Sequence, residues 1–183
     1  MSKKVYVLLA EGFELIEAMT PVDVLRRGGV EVVTVSISES KEVTSAQKVT
    51  VKSDTTIFEN TLTDGDMLVL PGGYPGYVNL GNSKEVGEIL KHYESNNKLV
   101  GAICGGPTVL VKNNVFKGRN ITCHSSVVDE MNGYSCSNTK TQTDSNLITG
   151  MGAGLALDFA FSLAEKLLDN ETILKIKKGM ELA

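Results

Sequence analysis

Tryptophan, histidine and cysteine are scarce in this sequence. Among its 183 residues there is no tryptophan, there are two histidines, and there are three cysteines, Cys104, Cys123 and Cys136. The cysteines form no C-x-x-C pair and their number is odd, which argues against the disulfide framework of a secreted protein. We therefore expect a reducing compartment, the cytoplasm.

Long apolar runs and clusters of basic charge are also missing. No stretch approaches the roughly 20 apolar residues of a membrane span, and the run Val5–Ala10 is too short for the core of a signal peptide. The formal net charge is −4, and the basic residues are scattered apart from short pairs such as Arg26-Arg27. Neither a membrane nor a nucleic acid is therefore expected as a partner.

What is present is the composition of an ordinary globular protein. Hydrophobic residues make up 42% of the chain and charged residues 22%, and no stretch is of low complexity, so we expect a folded chain. The length suits one domain with a substantial core. Residues 1–183 are therefore predicted to form a single domain.

Short apolar runs alternate with helical patterns along the chain. The runs are continuous, as in strands of a parallel sheet that is covered on both faces; they are Val5–Ala10, Glu31–Ile37, Met67–Leu70, Leu99–Ile103 and Leu147–Thr149. Helices are predicted at Leu15–Arg27, Lys84–Asn96, Pro107–Lys112, Leu157–Leu168 and Glu171–Lys178. This alternation predicts an α/β sandwich with a mostly parallel sheet and helices on both faces, its strand order undetermined.

Two features of this pattern leave alternatives open. Pro21 either kinks the first predicted helix or restarts it behind Thr20 as the N-cap. Segments 41–57 and 120–146 fit the alternation less well, because they are rich in threonine, serine and lysine. We interpret them as hairpins or exposed strands.

One apolar run ends directly in a cysteine that two glycines follow, AICGGP at residues 102–107. Functional groups of open α/β sheets gather where strands end and helices begin, and Cys104 stands at such a junction. The glycines would relieve crowding in a sharp nucleophile elbow, and the start of the next helix is expected to lower the thiol pKa. The alternative is a small core cysteine. Cys123 and Cys136 lack this setting and are interpreted as incidental.

A second glycine pattern, VLPGGYPG at residues 69–76, ends another apolar run. Two glycines after a strand can turn backbone N–H groups toward a ligand, which suits an oxyanion hole shared with the amide after Cys104. A simple β-turn is the alternative. A phosphate loop is excluded, because the Walker spacing with its Lys-Ser/Thr and the G-x-G-x-x-G spacing are both absent.

Four co-linear motifs, LAEGFELIEA with PVDVLRRGG, LVLPGGYPGYVNL, AICGGPTVL and LITGMGAGLALDFA, resemble the ThiJ/PfpI superfamily, in the branch of the parkinsonism-associated deglycases and their small bacterial relatives. The resemblance covers the chain from about Lys3 to Leu168. It implies a flavodoxin-like sandwich, a homodimer, and no metal or other cofactor.

The resemblance also implies roles for individual residues. Cys104 would be the nucleophile, with Glu17 against its sulfur and His124 nearby. The oxyanion and substrate would be bound at the glycines of the two loops, Gly72, Gly73 and Gly105. Asp23 and Arg27 of a partner chain would orient the histidine. Two neighbouring anions repel, so a protonated Glu17 should donate a hydrogen bond to the thiolate; without the resemblance, Glu17 would be interpreted as a solvated helix residue.

Some residues of this chain differ from the patterns of the ThiJ/PfpI superfamily and of related enzymes, and these differences exclude two of their activities. Gly105 stands where the intracellular peptidases of the family carry histidine, and Ser125-Ser126 replaces the end of the H-x-E of glutamine amidotransferases, so both activities are excluded. Close relatives carry proline where this chain has Ser125 and Ala153. These two changes loosen the backbone that positions His124.

The resemblance implies a cysteine-dependent, cofactor-independent glyoxalase or protein deglycase. Its substrates would be small 2-oxoaldehydes such as methylglyoxal, or early glycation adducts on protein side chains. A first alternative is an oxidative-stress sensor or chaperone-like protein that uses oxidation of Cys104 to the sulfinate. A second alternative is a noncatalytic dimer that serves protein interaction.

Overall fold

The structure, a computed structural model, describes residues 3–182, so Met1, Ser2 and Ala183 of the predicted domain lie outside the described residues. The strands are β1 (Lys4–Leu9), β2 (Glu31–Ser36), β3 (Glu42–Thr44), β4 (Thr50–Lys52), β5 (Thr55–Thr56), β6 (Met67–Leu70), β7 (Leu99–Ile103), β8 (Asn120–Ile121), β9 (Ser135–Cys136), β10 (Thr141–Asp144) and β11 (Leu147–Gly150). The α-helices are α1 (Leu15–Arg27), α2 (Gly76–Asn82), α3 (Lys84–Ser95), α4 (Pro107–Asn113), α5 (Ala156–Ala164) and α6 (Asn170–Gly179).

The central sheet has seven strands in the order β10-β11-β7-β6-β1-β2-β5. All neighbours pair parallel except β10, which runs antiparallel to β11 at one edge. The carboxyl ends of β1, β6 and β7 consequently meet at one edge of the sheet. The predicted α/β sandwich with a mostly parallel sheet is confirmed.

Two apolar layers cover the faces of this sheet. Successive side chains of a strand point to opposite faces, so Val7 of β1 packs toward α1 and α5, while Leu8 packs toward the layer of α3 and α4. Both side chains are fully buried. Burying side chains of this size stabilises the fold by about 1.5–3 kcal/mol each, which explains why the continuous apolar runs become central strands.

The predicted strands and helices are present, and their ends coincide with the predicted ones or lie one residue away, except that α5 ends at Ala164, four residues before the predicted Leu168. Helix α1 runs unbroken through Pro21, which is buried, and its N-cap is Glu14, whose carboxylate accepts a hydrogen bond from the Glu17 amide at 2.8 Å. The helix therefore does not restart at Thr20. Helix α2 was not predicted, because its sequence GYVNLGN is rich in glycine and asparagine and carries no apolar period.

The two segments of weak pattern form small strands. β3 and β4 make an antiparallel hairpin, β10 is an edge strand, and β8 and β9 form a separate parallel pair. The interpretation as a hairpin is confirmed for β3 and β4, but it is wrong for β5, which is buried and pairs parallel with β2 in the central sheet. Among the helices of residues 3–182, none is both long enough and apolar enough to cross a membrane.

Candidate active site

The candidate nucleophile lies at the carboxyl end of β7. β7 ends at Ile103 and α4 begins at Pro107, which leaves a three-residue turn in which Cys104 has a φ of +63°. A residue other than glycine adopts this left-handed conformation at a cost of roughly 1–2 kcal/mol. The amide of Cys104 donates to the Gly150 carbonyl at 2.9 Å and holds the turn against β11.

Glu17 lies in the first turn of α1 and is completely buried. Its Oε2 accepts a hydrogen bond from the Gly72 amide at 2.8 Å, and its carboxyl group interacts directly with the Cys104 thiol. Oε1 is also buried and has no hydrogen-bond partner within the described residues. The structure therefore brings Glu17 and Cys104 together across two separate chain segments.

Glycine is required where the two loops meet. A Cβ at Gly72 would lie 2.6 Å from Glu17 Oε2 and 2.7 Å from the Cys104 Cβ. A Cβ at Gly105 would lie 2.4 Å from the ring of Tyr77. Both distances are shorter than real contacts allow, so these positions let the carboxyl, the thiol and the backbone approach one another.

Burial governs the charges of the pair. It raises the pKa of Glu17 to about 7, aided by the neighbouring charge of Glu14 and opposed by the hydrogen bonds with Cys104 and the Gly72 amide. Burial, followed by the charge of Glu17, raises the pKa of the Cys104 thiol to about 12, although the Gly105 and Gly73 amides bond to the sulfur and act in the opposite direction. The two groups therefore share one negative charge over a wide range of pH.

The start of the next helix does not set the thiol pKa alone, because Cys104 is coupled to Glu17. While Glu17 carries the negative charge, desolvation and the facing carboxylate disfavour the thiolate more than two amides favour it. The local AICGGP pattern reveals the helix, but Glu17 is 87 residues away in the sequence. The carboxyl is therefore invisible to a local argument.

His124 follows β8 and its ring is exposed. Its backbone amide donates to the Cys104 carbonyl at 3.0 Å, which places the residue beside the elbow. Nδ1 lies 2.8 Å from Ser126 Oγ and accepts a hydrogen bond from the Ser126 amide at 3.2 Å. A ring nitrogen that accepts from an amide carries no proton, so the neutral ring bears its proton on Nε2.

Asp23 and Arg27 lie on the exposed side of α1 and form an ion pair with each other, Asp23 Oδ2 to Arg27 Nε at 2.8 Å. Within residues 3–182, no hydrogen bond or ion pair joins either of them to His124. Their contact with the histidine of a partner chain stays a prediction.

Within residues 3–182, no group of three or more His, Cys, Asp or Glu side chains is arranged to hold a metal ion.

The pattern of the DJ-1/PfpI family matches residues 3–166. The chain belongs to the DJ-1/PfpI family. The superfamily that the four motifs indicate is thereby confirmed.

Individual DJ-1/PfpI relatives match along the whole chain. Protein dj-1beta of Drosophila melanogaster is 37% identical over 185 residues, which cover 100% of this chain and 99% of the relative. The glutathione-independent glyoxalase DJR-1.2 of Caenorhabditis elegans is 33% identical over 184 residues, covering 99% and 97%. The crystal structure of Drosophila melanogaster DJ-1beta superimposes with a TM-score of 0.97 at 36% identity and covers 100% of both chains.

Sequence reasoning missed two residues around the site of this DJ-1/PfpI protein. Tyr77 of α2 packs its ring against Gly105 and closes one side of the elbow. Ser126 holds the ring of His124. A signal for Ser126 exists in the sequence, because a serine two residues after a histidine can reach its ring; Tyr77 sits in a glycine-rich segment that predicts only a turn.

Proposed function

We propose that this chain is a glutathione-independent glyoxalase that converts 2-oxoaldehydes of the methylglyoxal type into 2-hydroxy acids. The observation that carries the proposal is the buried Glu17 carboxyl in direct contact with the Cys104 thiol, with two backbone amides on the sulfur. Such a pair can supply a nucleophile and move a proton at one place.

Hydrogen-bond counting favours a thiolate beside a protonated carboxyl. With its proton on Glu17 Oε1, the acid can donate to the sulfur, and this otherwise unpartnered oxygen gains a bond. The thiolate then receives that bond together with those from the Gly73 and Gly105 amides. A buried carboxylate facing a neutral thiol would leave more of its charge unpaired. The active form is therefore the singly charged pair with its charge on sulfur.

In the first step, the Cys104 thiolate adds to the aldehyde carbon, and a C–S bond forms while the carbonyl π bond becomes an alkoxide. We assign the stabilisation of this alkoxide to the amides of Gly73 and Gly105, which face the sulfur. Transfer of the Glu17 proton to the oxygen gives a hemithioacetal. Glu17 is left as a carboxylate, which is the base that the next step needs.

In the second step, the Glu17 carboxylate takes the proton from the former aldehyde carbon and gives it to the oxygen of the adjacent carbonyl, which forms an enediol. Glu17 then takes the hydroxyl proton from the sulfur-bearing carbon and gives it to the adjacent carbon. The product is a thioester of the 2-hydroxy acid. Water hydrolyses the thioester, releasing the acid and restoring Cys104. We assign to His124, whose Nε2 carries a proton, the transfer of protons at the exposed side of the site.

The substrate class rests on similarity as well as chemistry. The relative DJR-1.2 is named a glutathione-independent glyoxalase, and the reaction above uses neither glutathione nor a metal. The same nucleophile can attack hemithioacetal and aminocarbinol adducts that methylglyoxal forms with protein side chains. We therefore include protein deglycation in the proposal, as a second use of Cys104.

A second candidate function is sensing of oxidants through Cys104. The favouring observation is again Glu17, whose raised pKa of about 7 keeps a hydrogen-bond donor next to the sulfur. A hydroperoxide would oxidise the thiolate to the sulfenate and a second equivalent would give the sulfinate, to which protonated Glu17 can donate. In this case the oxidised state, rather than turnover, would be the output.

We further propose a homodimer in which α1 of one copy lies against the site of the other. The exposed side of α1 carries Ile16, whose side chain is 47% exposed, in line with Asp23 and Arg27. Sedimentation at several concentrations tests this. An Arg27→Ala variant that lowers turnover only in the dimeric state would support a contact between copies.

The test of the proposed function combines two pH profiles of the whole protein without glutathione. We expect alkylation of Cys104 by iodoacetamide to rise as the pH passes through about 7, where the pair loses its first proton, and formation of the 2-hydroxy acid to rise with it. Alkylation at pH 7 without turnover would favour the sensor. Alkylation that begins only near pH 12 would place the charge on Glu17 and contradict both functions.

A further inference from the structure

The two remaining cysteines lie together and do not belong to the Cys104–Glu17 pair. β8 and β9 pair parallel with Ile121 opposite Cys136, and the Ser137 amide donates to the Ile121 carbonyl at 2.8 Å. Cys123 follows Ile121 by two residues. The strand register therefore brings two thiols that are 13 positions apart in the sequence into one neighbourhood.

The thiols share a cavity as well as a strand pair. Both line a pocket of about 390 Å³ that also includes His124, Val128 and Met151, and their side chains interact directly. They differ in access, because Cys123 is 4% exposed whereas Cys136 is exposed. The sequence gives neither cysteine a special setting, but the fold makes them a pair with one outer and one inner member.

We propose that Cys123 and Cys136 form a reversible disulfide, with a hydroperoxide as the oxidant. The exposed Cys136 reacts first: its sulfur attacks the peroxide O–O bond, which gives a sulfenic acid and releases an alcohol, or water from hydrogen peroxide. The Cys123 sulfur then attacks the sulfenic sulfur, and the S–S bond forms as water leaves. The two thiols supply the two electrons that reduce one peroxide.

The asymmetry of the pair sets the order of these steps. Burial and the neighbouring thiol raise the pKa of Cys123 to about 12, so this residue stays protonated and is shielded from a bulky oxidant. A resolving cysteine must instead lie within reach of the sulfenic acid, which the contact between the two side chains provides. Its proton then leaves with the sulfenic hydroxyl as water, since the sulfur must be deprotonated to attack. Neither Cys104 nor Glu17 takes part, so this inference stands apart from the proposed function.

The test exploits the sites of proteolysis. No lysine or arginine lies between Arg119 and Lys140, so trypsin releases both cysteines in one peptide, and a second protease cleaves after Glu130 between them. The full chain is treated with one equivalent of hydrogen peroxide, and its free thiols are blocked with iodoacetamide. The masses of the digested peptides are then measured by mass spectrometry. We expect a tryptic peptide lighter by two hydrogen atoms than the dithiol, two halves that remain linked after the second cleavage, and release by dithiothreitol.

Two variants serve as controls. Cys104→Ser should keep the Cys123–Cys136 disulfide in full, and Cys136→Ser should lose it. The measurement on the unmodified chain needs no variant to fold. Cys136 oxidised to sulfinic acid beside alkylated Cys123 would overturn the proposal. A disulfide that joins two chains through Cys136, or one that includes Cys104, would overturn it as well.

Discussion

Two thiol environments in this chain show how the surroundings of a cysteine decide its chemistry. Cys104 sits in a strained turn with a carboxyl group and two amides around its sulfur, a setting that suits addition to a carbonyl. Cys123 and Cys136 sit next to each other at a small pair of strands with no acid between them. That second setting suits the joining of two sulfurs.

The difference lies in what can accept or return a proton. Glu17 can give a proton to the oxygen of a substrate and then take one from carbon, because its raised pKa of about 7 lies near neutral pH. At β8 and β9, the group that faces each thiol is the other thiol. We therefore expect turnover at one place and oxidation to a disulfide at the other, and each substitution below should affect only one of them.

The largest expected effect is the loss of turnover in Cys104→Ser. A hydroxyl in place of the thiol is a far weaker nucleophile, so formation of 2-hydroxy acid from methylglyoxal should fall by a factor on the order of 10⁴ or more. Cys136→Ser is the matched control and should keep full turnover. If Cys136→Ser lost turnover while Cys104→Ser kept it, the division of roles between the two environments would be wrong.

Next in size is Glu17→Gln, which keeps the shape and a hydrogen-bond donor but removes the transferable proton. Turnover should fall by about 10²–10⁴. Alkylation of Cys104 should persist, because the glutamine amide can still donate a hydrogen bond to the thiolate. Initial rates of hydroxy-acid formation and of alkylation across pH measure both outcomes. Unchanged turnover would contradict Glu17 as the proton carrier.

Local patterns sufficed for most of the fold. The five continuous apolar runs became five neighbouring strands of the parallel sheet, because a strand that is apolar at every position can be buried on both faces. Strand order did not follow, since it depends on contacts between distant segments. The short α2 was also missed, for its residues carry no apolar period.

The candidate site was only partly visible in the sequence. AICGGP points to a turn at Cys104 by local sterics alone, and the left-handed backbone there agrees. Glu17 gives no local sign of its burial, because the residues that enclose it come from the loops after β6 and β7; only the family resemblance indicated it. The contact between Cys123 and Cys136 depends on non-local strand pairing, which is why both were interpreted as incidental.

The buried carboxyl should also appear in the stability of the fold. Because the pKa of Glu17 is raised from 4.5 to about 7, the folded state holds the proton more tightly, and this contribution is complete below pH 4.5 and lost as the pH rises through 7. The upper limit of the loss is about 3 kcal/mol. Urea unfolding at pH 5 and pH 8 should show Glu17→Gln gaining on the wild type at the higher pH. A constant difference would mean that the Glu17–Cys104 pair does not lose a proton in this window.

The smallest effect that we expect concerns the support of His124 by Ser126. Ser126→Ala removes the Oγ that lies 2.8 Å from His124 Nδ1 but keeps the hydrogen bond that the Ser126 backbone amide donates to the same nitrogen. One hydrogen bond contributes about 1 kcal/mol net, so kcat/KM should fall about fivefold. Ser125→Ala is the matched control, because its neighbouring side chain is exposed and makes no hydrogen bond within residues 3–182. Equal rates in the two serine variants, together with an active His124→Gln variant, would show that the histidine takes no part in the reaction. Glu17 would then be the sole carrier of protons, and the two thiol environments would differ even more sharply.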